Sequence, residues 1–183
     1  MTEDTSHLYV LTGGPGAGKT ALIDALGQRG VASVAESGRA VIRAEQAGGG
    51  DALPWRDRHA FAAAMLAQDI AAYCAVRTNT SPVVFDRGIP DVLGYLRLEG
   101  LEPPAALHDA VARYRYAARV FICPPWPEIY ATDAQRRQTP AVAARTCEVM
   151  REVYGGLGYT LVEVPRLSIA DRVSFVMDAI GIR

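Results

Sequence analysis

The 183-residue chain has few of the residues that build metal clusters, disulfide frameworks or membrane spans. Its three cysteines form no C-x-x-C pair and its three histidines are isolated, which excludes a zinc pattern. Scattered cysteines of this kind predict reduced thiols and a cytoplasmic location. No apolar run approaches the roughly 20 residues of a membrane span, and residues 1–6 are too polar and acidic for a signal peptide. We therefore expect no membrane partner.

An excess of charge of one sign is also absent. The net charge is −1 and 21% of the residues are charged, so nothing indicates a nucleic-acid partner or an anionic membrane surface. Half of the residues are hydrophobic, which is ordinary for a globular protein. A chain of this length is most simply one domain, and we expect that domain to span residues 1–183.

Lysine is nearly absent, because Lys19 is the only one and every other basic residue is an arginine. That lysine lies in a run that fits G-x-x-x-x-G-K-[ST], the Walker A or P-loop pattern: Gly13, Gly14, Pro15, Gly16, Ala17, Gly18, Lys19 and Thr20. An apolar strand is predicted before the run and a helix after it. The glycines allow successive backbone N–H groups to face phosphate oxygens. We expect Lys19 to contact the β- and γ-phosphates of ATP and Thr20 to hold Mg²⁺.

Short apolar runs alternate with longer helical stretches, which predicts an α/β fold with a mostly parallel sheet covered on both faces. The predicted strands are Leu8–Thr12, Val31–Ala35, Pro82–Phe85, Arg119–Cys123 and Thr160–Val164. The predicted helices after the first are Ser37–Ala47, Trp55 to about Thr78, Pro90–Glu99, Pro104–Tyr116, about Thr139 to Gly155, and Ile169–Ile180. Ligands of such sheets bind at the carboxyl ends of the strands, so we expect the site residues to lie there.

Two of these strand ends carry acidic residues. Asp86 closes the third strand as in a Walker B element, where it would hold Mg²⁺ or accept a proton, and Arg87 beside it could clamp a phosphoryl oxygen. The alternative is a solvated acid and a surface arginine. Glu36 closes the second strand, where it could face an acceptor hydroxyl or could instead stabilise the first turn of the next helix. Arg39 could neutralise Glu36 or bind substrate.

The segment after the fourth strand is polar and contains adjacent arginines, Arg136 and Arg137. We expect a lid at about 126–140, in which these arginines stabilise charge on the transferred phosphoryl group. A solvated basic turn is the alternative interpretation. Trp55 and Gln68, on the long third helix, could line the same cleft, although such a tryptophan is more often a packing residue.

With these motifs assembled, the chain resembles the nucleoside/nucleotide-kinase branch of P-loop NTPases. It is similar over nearly its full length to small AAA-type predicted ATPases related to bacterial ribosylnicotinamide kinase domains. The resemblance implies a three-layer α/β/α sandwich, a five-stranded sheet in the order 2-3-1-4-5 and Mg²⁺-ATP as donor. It also implies that Glu36 or Asp86 is the base and that Asp86 and Arg87 contact substrate. The chain is too short for the C-terminal subdomain of AAA+ machines, and it lacks the guanine-binding Asn-Lys-x-Asp sequence.

Three functions are consistent with this pattern. The first is a kinase that transfers the γ-phosphoryl group of Mg-ATP to a hydroxyl of a small, nucleoside-like acceptor, with Lys19, Glu36, Asp86, Arg87, Arg136 and Arg137 as catalytic residues. The second is an ATPase or nucleotide-dependent switch that acts through a protein partner. A module that binds nucleotide without turnover is a third reading of the same motif.

Overall fold

The computed structural model describes residues 5–129 and 139–182. Its centre is a sheet of five parallel strands in the order β2-β3-β1-β4-β5. The strands are β1 (Leu8–Gly13), β2 (Ala32–Val34), β3 (Val83–Asp86), β4 (Arg119–Cys123) and β5 (Thr160–Glu163). The predicted fold class and strand order are confirmed.

Helices cover both faces of this sheet in the part of the chain that the structure describes. They are α1 (Lys19–Gln28), α2 (Ser37–Gly48), α3 (Arg58–Val76), α4 (Ile89–Leu98), α5 (Ala105–Arg113), α6 (Pro140–Gly156) and α7 (Ile169–Ile180). In β1, Leu8 and Val10 pack into the core beneath α2–α6, whereas Tyr9 and Leu11 pack into the core beneath α1 and α7. Side chains of a strand alternate between faces, so both neighbours of each β1 residue belong to the opposite layer.

The predicted boundaries of α3 and β2 differ from the observed ones for local reasons. The predicted long helix began at Trp55, but Asp57 adopts an extended conformation and accepts a hydrogen bond from the backbone N–H of Ala60. This cap fixes the start of α3 at Arg58. At the edge of the sheet, β2 pairs only with β3 and is shorter than predicted, with largely exposed side chains.

Helix α3 is long and apolar enough to cross a membrane by length and composition. Its composition is dominated by alanine, and it packs beside α2 and α4 with Phe61, Met65 and Tyr73 buried. A core helix of a globular fold has the same properties, so the prediction of no membrane partner is unchanged.

The register of the sheet brings the chemically interesting strand ends together. Leu11 of β1 pairs with Asp86 of β3, and Gly13 of β1 pairs with Cys123 of β4. In β2, Val34 pairs with Phe85, so Glu36 follows the same edge. Because all strands are parallel, the loops after β1, β2 and β3 meet at one edge of the sheet.

Candidate active site

The P-loop follows β1 and is held tightly between β4 and α6. Gly13 has a φ of +125°, and a Cβ there would lie 2.3 Å from the Cys123 carbonyl oxygen. A Cβ on Gly14 would lie 2.2 Å from the Ala143 carbonyl oxygen. Gly18, at φ +73°, precedes the first residue of α1 in a left-handed conformation. Glycine is therefore required sterically at Gly13 and Gly14, and conformationally at Gly13 and Gly18.

Lys19 begins α1 and its ammonium group folds back over the loop. The Nζ atom donates hydrogen bonds to the carbonyl oxygens of Gly13, at 3.1 Å, and Gly14, at 2.6 Å. Burial, helped by the neighbouring Arg87 guanidinium and opposed by nearby acidic groups, lowers the pKa of Lys19 to about 8. A buried cation of this kind gains stability when an anion approaches.

Asp86 and Thr20 have the chemistry that Mg²⁺ needs. The Oδ1 atom of Asp86 is buried and has no hydrogen-bond partner among the described residues, and burial raises the pKa of this carboxyl group. Thr20, in the first turn of α1, is exposed. No cluster of three or more His, Cys, Asp or Glu within the described ranges could hold a metal alone. Two protein oxygens fit Mg²⁺, which keeps waters and phosphate oxygens as its other ligands.

Arg87 links two acidic groups across the site. Its φ of +68° is the only positive value at a non-glycine residue in the described part of the chain, and it turns the side chain from the end of β3 toward α2 and α4. The Nε atom donates to Glu36 at 3.2 Å, and the Nη1 atom donates to Asp91 at 3.1 Å. A non-glycine residue in this conformation is strained, and such strain clusters at functional sites.

Asp91, in the first turn of α4, is a buried hydrogen-bonding centre that the sequence motifs did not reveal. It is 6% exposed and accepts hydrogen bonds from Thr12, Tyr154, Arg87 and the backbone N–H of Gly88. These bonds tie β1, α4 and α6 together beneath Arg87. A proline followed by an acidic residue is a common sequence at the start of a helix, but nothing in the sequence indicates the distant partners of Asp91.

Glu36 faces three cations. It pairs with Arg87 and, at 3.1 Å, with Arg39. Burial alone would raise the pKa of Glu36, but Arg87, Lys19 and Arg39 together lower it below its ordinary value. Glu36 is therefore ionised at neutral pH.

A cleft of about 720 Å³ opens beside the P-loop between α2, α3, α4 and the start of α6. Pro15 of the P-loop contributes to its wall, as do Glu36 and Arg87. The apolar part of the wall includes Ile42, Phe61, Met65, Val92, Leu98, Val142 and Met150. A cleft of this size and lining can hold a small molecule with one flat, apolar portion.

The remaining candidate residues either lie outside the described residues or do not line the cleft. Arg136 and Arg137, with most of the predicted lid, lie outside the described residues. Trp55 is 60% exposed and Gln68 is exposed, and neither lines the cleft. Instead, Asp69 on the next position of α3 is a wall residue. A one-residue step on a helix turns a side chain by about 100°, which the sequence could not resolve.

Arg172 of α7 supports the P-loop from the other face of the sheet. Its guanidinium group is buried and donates to the Ala17 carbonyl oxygen at 3.1 Å and to the Cys123 sulfur at 3.2 Å. It also lies over the Trp126 ring at 5.4 Å. Nothing in the sequence analysis indicated this contact, because α7 and the P-loop are more than 140 residues apart along the chain.

A Walker A loop at the end of β1, within a parallel sheet of this order, defines a P-loop NTPase fold. Residues 8–172 match a family described as an AAA domain, and the chain belongs to this family. No curated protein matches the chain.

Solved structures with the same fold are distantly related in sequence. NadR protein in complex with NR has a TM-score of 0.66 and 20% identity; the match covers all of this chain and 54% of that one, so this chain spans about half of NadR. Thymidylate kinase from Ehrlichia chaffeensis has a TM-score of 0.64 and 13% identity, covering 98% and 100% of the two chains. Deoxyadenosine kinase from M.mycoides with bound dATP has a TM-score of 0.56 and 12% identity, covering 96% and 99%.

Proposed function

We propose that the chain is one kinase-like domain that transfers the γ-phosphoryl group of Mg-ATP to a hydroxyl group of a nucleoside-like acceptor. The observation that carries this proposal is the cleft beside the P-loop, whose wall includes Glu36 and Arg87. A cleft of about 720 Å³ at this place has room for a small acceptor molecule, which a reaction with water does not require. The similar structures include a deoxyadenosine kinase and a thymidylate kinase, which favours a nucleoside-like acceptor.

The donor would bind on residues 13–20. Backbone N–H groups of the loop and the Lys19 ammonium would neutralise the phosphate oxygens, and Lys19 would exchange its two carbonyl partners for the β- and γ-phosphates. Thr20 and Asp86 would hold Mg²⁺, which neutralises charge on the phosphates when bound. Arg136 and Arg137 would close over the γ-phosphoryl group as part of the lid.

The acceptor hydroxyl would face Glu36. This carboxylate is ionised and lines the cleft, whereas Asp86 does not line it, so Glu36 is the better candidate for the group that receives the hydroxyl proton. Arg87 would orient Glu36 and contact the transferred phosphoryl group. Positioning and charge neutralisation carry most of the rate in phosphoryl transfer, so a base with a lowered pKa suffices.

Release of ADP in the presence of a panel of nucleosides tests the proposal, with the phosphorylated product identified by mass spectrometry. We expect Lys19→Ala to abolish turnover. Glu36→Gln and Asp86→Asn should each lower transfer by at least about 100-fold, as expected for the loss of a base or metal ligand. Glu102→Gln, in an exposed loop before α5, is the matched control and should change nothing. Near-normal transfer by the Lys19 variant would refute the assignment.

The outcome also separates the kinase from the ATPase alternative. Phosphate release without any phosphorylated acceptor, accelerated by a second protein, would favour the nucleotide-dependent switch. Tight Mg-ATP binding without turnover under any condition would favour a passive binding module.

A further inference from the structure

Asp69 lines the cleft but takes no part in the proposed phosphoryl transfer. It lies on α3 in the stripe Phe61, Met65 and Asp69, whose spacing of four residues places all three on one face of the helix, and all three line the cleft. The side chain is 8% exposed, so its carboxyl group is nearly removed from solvent.

The other three carboxyl groups in the cleft wall, Glu36, Asp91 and Glu99, pair with arginine, whereas Asp69 does not. Glu36 and Asp91 both pair with Arg87. No ion pair among the described residues involves Asp69, and its hydrogen-bond partner is the uncharged Ser37 side chain at the start of α2. A buried carboxylate that accepts one hydrogen bond has capacity for several more, and an unsatisfied carboxylate is costly.

The groups that face Asp69 make it a titrating group near neutrality. Burial, helped by the nearby carboxylates of Asp91 on α4 and Glu36 before α2 and opposed by the Ser37 hydrogen bond, raises the pKa of Asp69 to about 7. Tyr116 also lies near enough for the Asp69 charge to raise the pKa of its phenol, whose main perturbation is burial. None of these neighbours carries a positive charge that would fix Asp69 as an anion.

The wall around Asp69 suits a flat ring. Phe61 and Tyr95 contact each other edge to face, with ring centroids 5.4 Å apart. The Tyr95 hydroxyl, on α4, is buried without a hydrogen-bond partner among the described residues. Met65 is close to Gly38 of α2, where an added Cβ would lie 3.3 Å from its sulfur and 3.8 Å from Glu36 Oε1. The apolar wall and the Glu36 carboxylate therefore belong to one continuous space.

We propose that Asp69 selects the acceptor by accepting a hydrogen bond from an amino or amide N–H group on the ring of the acceptor. This inference rests on the proposed function, since it concerns the substrate of the same cleft. An acceptor with an N–H group would donate a hydrogen bond to Asp69, whereas an acceptor with hydrogen at that position offers this carboxyl group no donor. A site built for a hydrogen-bond donor rejects ligands that lack it much more strongly than an apolar pocket rejects a missing methyl group.

Binding measured by calorimetry tests this without requiring turnover. The probes are adenosine and cytidine, each compared with the analogue whose exocyclic amino group is replaced by hydrogen, and with the 2′- and 3′-deoxy forms. In the parent protein, at least one amino nucleoside should bind about tenfold or more tightly than its deamino analogue. Its affinity should increase as the pH rises from 6 to 8, because Asp69 then becomes an anion.

Two variants of the residue distinguish recognition from a structural role. Asp69→Leu, of similar shape, should abolish the preference for the amino nucleoside, and Asp69→Asn should remove the pH dependence between 6 and 8. Both should retain Mg-ATP affinity within about twofold, and Asp109→Asn, an exposed position on α5, should behave like the parent.

Three results would overturn the inference. The first is no nucleoside binding at millimolar concentration, and the second is an unchanged preference for the amino nucleoside in Asp69→Leu. The third is an effect of Asp69→Leu on affinity that depends on the presence of the 2′- or 3′-hydroxyl group and not on the amino group. The proposed kinase function fails by a different result, which is nucleoside and Mg-ATP binding without any phosphorylated product.

Discussion

Replacing Asp69 with asparagine should stabilise the protein increasingly as the pH rises. The folded state raises the pKa of this carboxyl group from 3.8 to about 7. The folded protein therefore binds the Asp69 proton more tightly than the unfolded chain does, and the parent loses stability as the pH rises from about 4 to 7. Each pH unit between the two pKa values contributes about 1.4 kcal/mol, so the total is about 4 kcal/mol.

The measurement is the free energy of unfolding in urea, followed by tryptophan fluorescence between pH 4 and pH 8. The difference between Asp69→Asn and the parent should be small at pH 4 and should grow by about 4 kcal/mol by pH 8. Asp109→Asn, at an exposed position, should track the parent throughout. Parallel curves for Asp69→Asn and the parent would show that the carboxyl group is not held in the environment described, and would remove the basis for its pH-dependent binding.

Three further predictions concern the P-loop and the network beneath it. Burial lowers the pKa of Lys19 to about 8, so a large fraction of Lys19 is neutral at pH 8.5 and should take up a proton when Mg-ATP binds. Calorimetry in two buffers of different ionisation enthalpy measures this uptake. Equal proton uptake at pH 7, where Lys19 is already charged, would contradict the prediction. Gly14→Ala should weaken nucleotide binding at least about tenfold through its clash with Ala143, whereas Gly27→Ala, in open space on α1, should leave binding intact and stabilise the helix by about 0.5–1 kcal/mol. Asp91→Ala should cost about 3–5 kcal/mol in urea unfolding, because four donors lose their acceptor; a loss below about 1 kcal/mol would be inconsistent with that network.

The sequence was sufficient for the features that depend on local patterning. Residues 13–20 required a glycine loop between a strand and a helix, and β4 and α7 were predicted with the bounds that the structure has. Helix α3 begins at Arg58 and not at Trp55 as predicted. Its start is fixed by a single capping hydrogen bond to Asp57, which the sequence pattern did not indicate. The strand order came from a family resemblance, since pairing of distant strands is not visible in one sequence.

In the candidate site, too, some residues could be selected from local sequence patterns and others could not. Glu36, Asp86 and Arg87 could be selected because each follows an apolar run at a strand end, and in parallel sheets those ends meet. The left-handed turn at Arg87 and its bridge from Glu36 to Asp91 could not be selected, since they depend on where α4 lies relative to β2.

Local chemistry thus determined that this chain carries a phosphate-binding loop and acidic strand ends, because glycine flexibility and strand periodicity act over a few residues. Only the tertiary structure decided which buried carboxyl groups form an ion pair with an arginine side chain and which do not. Asp91 follows Arg87 by four residues and pairs with it through the turn before α4, whereas α3 places Asp69 in a largely apolar wall. Charge neutralisation acts through space, over distances that the order of residues along the chain does not specify.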